Sequence, residues 1–252
     1  MADGGGLDVV TAGGLVRIRL NRPDKRNALD DAMVAGLIES VDAAGRDESI
    51  RVIVIEGVGE HFCGGFDIVG RNAGAEGRRP RVGSIQRRLP SQAHRLIPLL
   101  VTVQTPVVCV VRGWAAGIGL HIAVAADFTI AADDARFWEP FSERGFTPDS
   151  GGTWLLPRRV GDVRARDLLL LGRRISGAEA AQWGLIHSAV PAGALDTEAE
   201  ALVGRLASGP TVALGLTKWL LHAGAARPLE DHLRDEAFAI ELSSRSEDFR
   251  EG

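Results

Sequence analysis

The chain has 252 residues, 45% hydrophobic and 25% charged, the balance of an ordinary globular protein with a sizeable core. No apolar run approaches the roughly 20 residues that cross a bilayer, which excludes a helical membrane span. A formal net charge of −4, from 29 basic and 33 acidic residues, argues against a general nucleic-acid binder. The two cysteines, Cys63 and Cys109, lack CxxC spacing and a nearby histidine cluster. They read as small buried hydrophobes, and no metal is expected. The N-terminus Met1–Gly6 has neither the basic start nor the apolar stretch of a signal peptide, so a reducing, cytoplasmic setting is expected.

Leu15-Val-Arg-Ile-Arg-Leu20 alternates as a half-buried strand does, and Asn21-Arg-Pro-Asp24 breaks it. A helix follows from Asp30 as its N-cap, with Met33, Leu37, Ile38 and Val41 as an apolar stripe. Val52-Ile-Val-Ile55 and Pro106-Val-Val-Cys-Val-Val111 are continuous apolar runs, expected for strands covered on both faces. An amphipathic helix is predicted over Ser84–Leu100, and an apolar helix ends near Asp127. Short strands are predicted at Phe128–Ala131 and Arg136–Trp138, helices at Val163–Leu171 and Ser176–Trp183, and a last strand at Leu185–Val190. Ser176 and Glu179 fit a capping box. From Leu195 onward the pattern is helical, with breaks at Gly209-Pro210 and Arg227-Pro228. The alternation implies an α/β core over residues 1–194 and a helical C-terminal region over 195–252.

Charge is concentrated in one place. Between Arg71 and Arg95 seven arginines meet one acidic residue, Glu76, a local balance of +6. Such a stretch is either a solvated loop or a patch for a polyanionic small molecule, since guanidinium suits phosphate. Two other features share one design, a buried strand running through a glycine-rich turn: His61-Phe-Cys-Gly-Gly-Phe-Asp67 and Gly113-Trp-Ala-Ala-Gly-Ile-Gly119. Glycines there let another group approach the backbone. If the two turns lie side by side, one N–H from each could hold a single oxygen and stabilise charge developing on a carbonyl. Neither turn fits GxGxxG, so a dinucleotide reading gains no support.

Asn21-Arg-Pro with Asn27-Ala-Leu29, His61–Asp67, Pro106–Asp127, Pro148-Asp-Ser-Gly-Gly-Thr153 and Ser176–Leu185 together resemble the crotonase superfamily, the enoyl-CoA hydratases and isomerases. The resemblance spans nearly the whole chain. It implies a spiral of ββα units with a helical C-terminal trimerisation region, assembly as a homotrimer or a hexamer of paired trimers, and a coenzyme A thioester as substrate, with no tightly bound cofactor. By position, the backbone N–H groups of Phe66 and Ile118 would form the oxyanion hole. Arg26, Ala28, Gly64, Gly65, Asp67, Ile68 and Gly117 would contact the coenzyme A substrate. The chain ends at Ser246–Gly252, short of the basic helix with which the family usually closes.

Hydratases of this family hold water with two glutamates, and their places are filled here by His121 and Phe141. Hydration by that mechanism is therefore not expected. Asp149 remains, in Pro148-Asp-Ser-Gly-Gly-Thr-Trp-Leu-Leu-Pro157, a segment similar to the ring-epoxide isomerases of phenylacetyl-CoA degradation, where an aspartate at this place is catalytic. A carboxylate beside an oxyanion hole could remove a proton next to a thioester carbonyl and return it elsewhere, with His121 assisting. A nucleophilic role, as in aryl-CoA dehalogenases, is a variant, and a helix N-cap is the bland alternative. His121 is otherwise a satisfied core histidine, and Glu139 and Glu143 are expected in solvent or paired with Arg136 or Arg144. Trp138 and Trp154 either shape an acyl pocket or simply pack, and His61 is expected to face water. Three readings stay open: an enoyl-CoA isomerase using Asp149, a hydratase with a non-standard acid–base set, and a non-catalytic acyl-CoA binder.

Overall fold

The computed structural model describes residues 6–68, 81–246, 248 and 249. The chain opens with an antiparallel hairpin of β1 (Leu7–Ala12) and β2 (Leu15–Leu20), turned at Gly13-Gly14, both at positive φ. The alternation in β2 is expressed as expected: Val16, Ile18 and Leu20 are buried, while Arg17 and Arg19 reach Glu56 at 3.2 and 2.7 Å. Helix α1 (Asp31–Arg46) is capped by Asp30, whose Oδ1 accepts from Met33 N at 2.9 Å, and buries the predicted stripe. β3 (Val52–Gly57) and β4 (Val107–Val111) are the buried strands that their uninterrupted apolar runs required.

The main sheet has the order β1-β2-β3-β4-β6-β9, with β6 at Phe128–Ala132 and β9 at Ser188–Val190, and every pairing after the hairpin is parallel. A second sheet of β5 (Trp114–Ala116), β7 (Arg136–Trp138) and β8 (Ile175–Ser176) stands beside it. Between β4 and β6 the chain forms β5 and then α4 (Ile118–Ala125), a helix buried on every side. The architecture is α/β, as expected.

The segment predicted as one helix over Ser84–Leu100 is broken. It forms α2 (Ser84–Arg88), a 3₁₀ turn at Leu89–Ser91 and α3 (Ala93–Thr102). Pro90 has no N–H to continue the ladder, and Gln92 takes φ −122°, ψ −113°, so the axis changes there. Helix α5 (Gly152–Leu169) bends where Gly161 adopts φ 74°, ψ 166°, and α6 (Gly177–Gln182) starts with the Ser176 hydroxyl accepting from Glu179 N at 3.1 Å. The last strand begins later than predicted because Leu185 N still donates to Ala180 O at 2.9 Å in the turn that closes α6.

α7 (Leu195–Ala207) starts where the helical pattern does, and α8 (Thr211–Gly224) and α9 (Leu229–Ser243) begin after the predicted breaks, with Pro210 and Pro228 as their extended N-cap residues. α7 sends Leu195, Ala199, Val203 and Leu206 into the core. α8 is pinned by Lys218, whose ammonium reaches Asp127 at 2.6 Å and the Leu100 carbonyl at 3.0 Å. Among the described residues, no helix is long and apolar enough to cross a membrane.

Candidate active site

The two glycine-rich turns lie side by side. Phe62 N donates to Arg112 O and Cys63 N to Trp114 O, both at 2.8 Å, and Ala116 N donates back to Cys63 O at 2.9 Å. The first turn therefore runs along β5 like an added parallel strand. Glycine is demanded at the crossing. A Cβ on Gly119 would stand 2.6 Å from Cys63 Cβ, and one on Gly65, at φ 106°, would stand 3.2 Å from Ala116 O. Gly117 adopts φ 52°, ψ −123°, closed to residues with a Cβ. Ile118 follows as the first residue of α4, where a backbone N–H has no acceptor within the helix.

Phe66 and Ile118 line one cleft of about 1210 Å³, together with Gly64, Gly65, Ile68 and Gly117. Arg26, Ala28 and Asp67, expected as contacts to coenzyme A, are not among its lining residues and instead brace the first turn. Arg26 O accepts from Gly64 N at 2.7 Å, and Ala28 O accepts from Arg22 Nη1 at 2.8 Å. The Asp67 carboxylate takes Arg22 at 2.9 Å and Lys25 at 3.1 Å. Buried Asn27 ties the same corner together, donating to Val58 O and His61 O at 3.0 and 2.6 Å. His61, expected in water, is half-buried with its Nδ1 enclosed, because its ring packs over Gly113.

The remaining wall comes from α2, α3 and the loop between β7 and α5. Arg81, Arg88 and Arg144 bring positive charge to it, so two arginines of the basic stretch serve the cleft. Arg71, Arg78 and Arg79 lie outside the described residues. Asp149 is exposed on this wall, and its carbonyl accepts from His94 Nε2 at 2.9 Å. Asp149 is not a helix cap: α5 starts at Gly152, with Gly151 as N-cap at φ 89° and no side-chain cap.

Behind Asp149 lies a buried polar chain. Ser150 Oγ is 3.2 Å from Asp149 Oδ1 and 2.6 Å from His121 Nδ1, and His121 Nε2 is 2.7 Å from Glu139 Oε1. Ser150 is 1% exposed, and His121 and Glu139 are completely buried. His121, expected beside Asp149 at the substrate, is thus withheld from the cleft. The Phe141 ring, which does line the cleft, stacks parallel on the imidazole with centroids 5.9 Å apart. Ser150, His121 and Glu139 have the residue types of a nucleophile–base–acid triad, but neither Ser150 nor His121 lines the cleft, so no thioester reaches the hydroxyl.

Glu139 is neither solvated nor paired with Arg136 or Arg144, as expected from the sequence. The alternation of β7 carries past its end, putting Phe137 and Glu139 inward on either side of Trp138. That alternation was the signal available for Glu139. Glu143 lies on the outside and pairs with Arg174 at 3.2 Å. Neither Trp138 nor Trp154 lines the cleft; Trp154 borders a separate cavity of about 520 Å³ between α5 and α8. Ser150 and His94 were not singled out from the sequence, and nothing in the local pattern marks His94, whose role arises where α3 meets the loop before α5. Among the described residues, no group of three His, Cys, Asp or Glu side chains could hold a metal.

Comparison with known proteins identifies the family. Residues 11–252 match the model of the enoyl-CoA hydratase/isomerase family. The chain is 38% identical over 239 residues to the 1,2-epoxyphenylacetyl-CoA isomerase of Escherichia coli, covering 95% of this chain and 90% of that protein. It is 32% identical over 226 residues to the carnitinyl-CoA dehydratase of Proteus mirabilis, covering 89% and 83% of the two chains. The solved enoyl-CoA hydratase of Bacillus anthracis superposes with a TM-score of 0.90 at 30% identity, covering 98% of this chain and 94% of that one. With these strand orders, glycine turns and relatives in view, the chain belongs to the enoyl-CoA hydratase/isomerase family.

Proposed function

We propose that this family member is an acyl-CoA isomerase in which the Phe66 and Ile118 N–H groups stabilise a thioester enolate and Asp149 moves the proton. The observation that carries this reading is that Asp149 is the one carboxylate among the described residues lining the cleft. Both glycine turns line the same cleft. Asp149 as carboxylate would take a proton from carbon next to the thioester carbonyl. The negative charge would pass to the carbonyl oxygen, where two backbone donors hold it. The protonated Asp149 would then return the proton at another carbon of the conjugated system. Hydration by two carboxylates finds no support, since Phe141 fills one of the two places and the other side chain, His121, is buried behind it.

Arg81, Arg88 and Arg144 suit the phosphates of coenzyme A, which enters as part of the substrate. Similarity to an epoxyphenylacetyl-CoA isomerase favours a ring-bearing acyl group. Exposed Leu221 on α8 and Leu233, Phe238 and Ile240 on α9 support self-association through the C-terminal helices, and the family resemblance makes the assembly a homotrimer or a hexamer of paired trimers.

The test is mass spectrometry of 3-enoyl- and aryl-acetyl-CoA thioesters incubated in heavy water with the protein and with Asp149→Asn. Double-bond migration or deuterium uptake, lowered about 10²-fold or more in the variant, is the expected result. Gain of one water by an enoyl thioester would overturn the isomerase reading. Binding without any chemical change across the set would replace it with an acyl-CoA binder.

A further inference from the structure

The chain Glu139–His121–Ser150–Asp149 ends in the cleft at Asp149 and in the core at Glu139. Taken in order, its three separations are 2.7, 2.6 and 3.2 Å. Glu139 Oε1 has one partner, His121, and Oε2 has no hydrogen-bond partner among the described residues. A carboxylate left charged there, completely buried and half-satisfied, would carry a large desolvation cost unless neutralised. A proton held between Oε1 and Nε2, which are 2.7 Å apart, would neutralise the pair.

That proton sets the direction of every other hydrogen bond. Nδ1 carries the remaining imidazole hydrogen and donates it to Ser150 Oγ. The Ser150 hydroxyl, which has one hydrogen, then donates to Asp149 Oδ1. Each hydrogen in the chain points from the core toward the cleft.

We propose that Glu139, His121 and Ser150 form a buried proton reserve wired to Asp149, a further layer on the assignment of Asp149 as the proton-moving group and dependent on it. Delivery shifts three protons by one bond each. Ser150 O–H passes to Asp149 Oδ1, His121 Nδ1–H to Ser150 Oγ, and the Glu139 proton to His121 Nε2. Asp149 ends as the acid and Glu139 as the carboxylate, with Ser150 a hydroxyl and His121 neutral throughout. No bond to carbon changes and no co-reactant is consumed. Because the delivered state leaves a charge in the core, the resting state keeps the proton inside and Asp149 ionised, ready as a base. The reserve lets Asp149 also protonate an intermediate with a proton that did not come from the substrate. Ser150, His121 and Glu139 act through Asp149 and are positioning residues.

Glu139→Gln and Ser150→Ala separate a reserve from a fixed scaffold. The glutamine amide can donate to Nε2 and preserve every donor direction, yet it holds no exchangeable carboxyl proton. Ser150→Ala cuts the wire and leaves the Glu139–His121 pair in place. Turnover and KM are measured on a 3-enoyl-CoA thioester, with folding checked by thermal melting and ligand retention by coenzyme A thioester affinity. A reserve predicts that each variant lowers kcat about 10²-fold, the lower range for a positioned proton-transfer group, with KM unchanged. The double variant falls no further than either single one. Isotope-edited infrared spectra of labelled Glu show a protonated-carboxyl band that is absent in Glu139→Gln. Wild-type kcat in Glu139→Gln, with Ser150→Ala impaired, would reduce the chain to a fixed donor and overturn the reserve. If Asp149→Asn abolishes turnover while both other variants keep wild-type kcat, the reserve fails and the base assignment stands. If Asp149→Asn is fully active, both fall together.

Discussion

Alanine in place of Gly152 tests whether the buried chain is held by packing. Gly152 is the first residue of α5, and its backbone is not in the left-handed region. On helix propensity this substitution would be neutral or favourable, by up to about 1 kcal/mol. The structure reverses the sign. A Cβ at Gly152 would lie 2.3 Å from His121 Nε2, 2.9 Å from Cε1 and 3.1 Å from Cδ2. The ring has to recede by about 1 Å to reach ordinary contact. It is not a free side-chain end, because both nitrogens are bonded and Phe141 is stacked on it. Overpacking costs about 1–3 kcal/mol, and each buried polar group left without its partner costs a further ~1–3 kcal/mol. A net loss of about 3 kcal/mol is expected, read as a lower urea midpoint with unchanged slope. Turnover falls as well, since the Glu139–His121 contact opens. A Gly152→Ala protein as stable as wild type and fully active would refute the reasoning, because it would mean that the imidazole moves freely in its site.

Lys218→Met leaves half-buried Asp127 without its nearest counter-charge and is expected to cost about 1–3 kcal/mol at neutral pH. Burial already raises the Asp127 pKa, and Lys218 is the main group pulling it back down. Removing Lys218 raises it further, so the folded variant binds that proton more tightly than the unfolded chain. Its stability then falls as pH rises above the ordinary carboxylate value of ~3.9. Denaturant melts at several pH values should show the deficit shrinking in acid, and a deficit constant with pH would refute the assignment. Burial pushes the Cys63 thiol up to about 12 and raises Cys109 as well. Both should resist a thiol reagent at pH 8 in the native protein and react once it is unfolded. Rapid native labelling of either would refute the packing assigned to them.

Much of the architecture is legible in the residues because it rests on local periodicity. The alternation of Leu15–Leu20, the unbroken apolar runs of β3 and β4 and the cap at Asp30 each state their own burial. The two prolines that open α8 and α9 act through their own backbone geometry. The predicted helix over Ser84–Leu100 failed where a single Pro90 outweighed an amphipathic pattern. The glycine turns announced a close backbone approach, but not what would approach. That the approaching partner is the other turn follows only from the parallel pairing of β3 with β4 and the docking of Cys63 along β5.

The site divides in the same way. Glycine and proline mark the turns in sequence, while Asp149, Phe66 and Ile118 are picked out within them by the resemblance to the crotonase superfamily. The role of Glu139 does not stand out, since its charge argues for solvent and only the continued alternation of β7 turns it inward. Glu139 and Ser150 lie 18 and 29 residues beyond His121 along the chain, and the three meet because α4, the end of β7 and the approach to α5 converge on one point. Local pattern determines which face of a strand or helix is buried. Which buried polar groups find one another is decided by packing of distant elements, where an unpaired charge costs too much to remain alone.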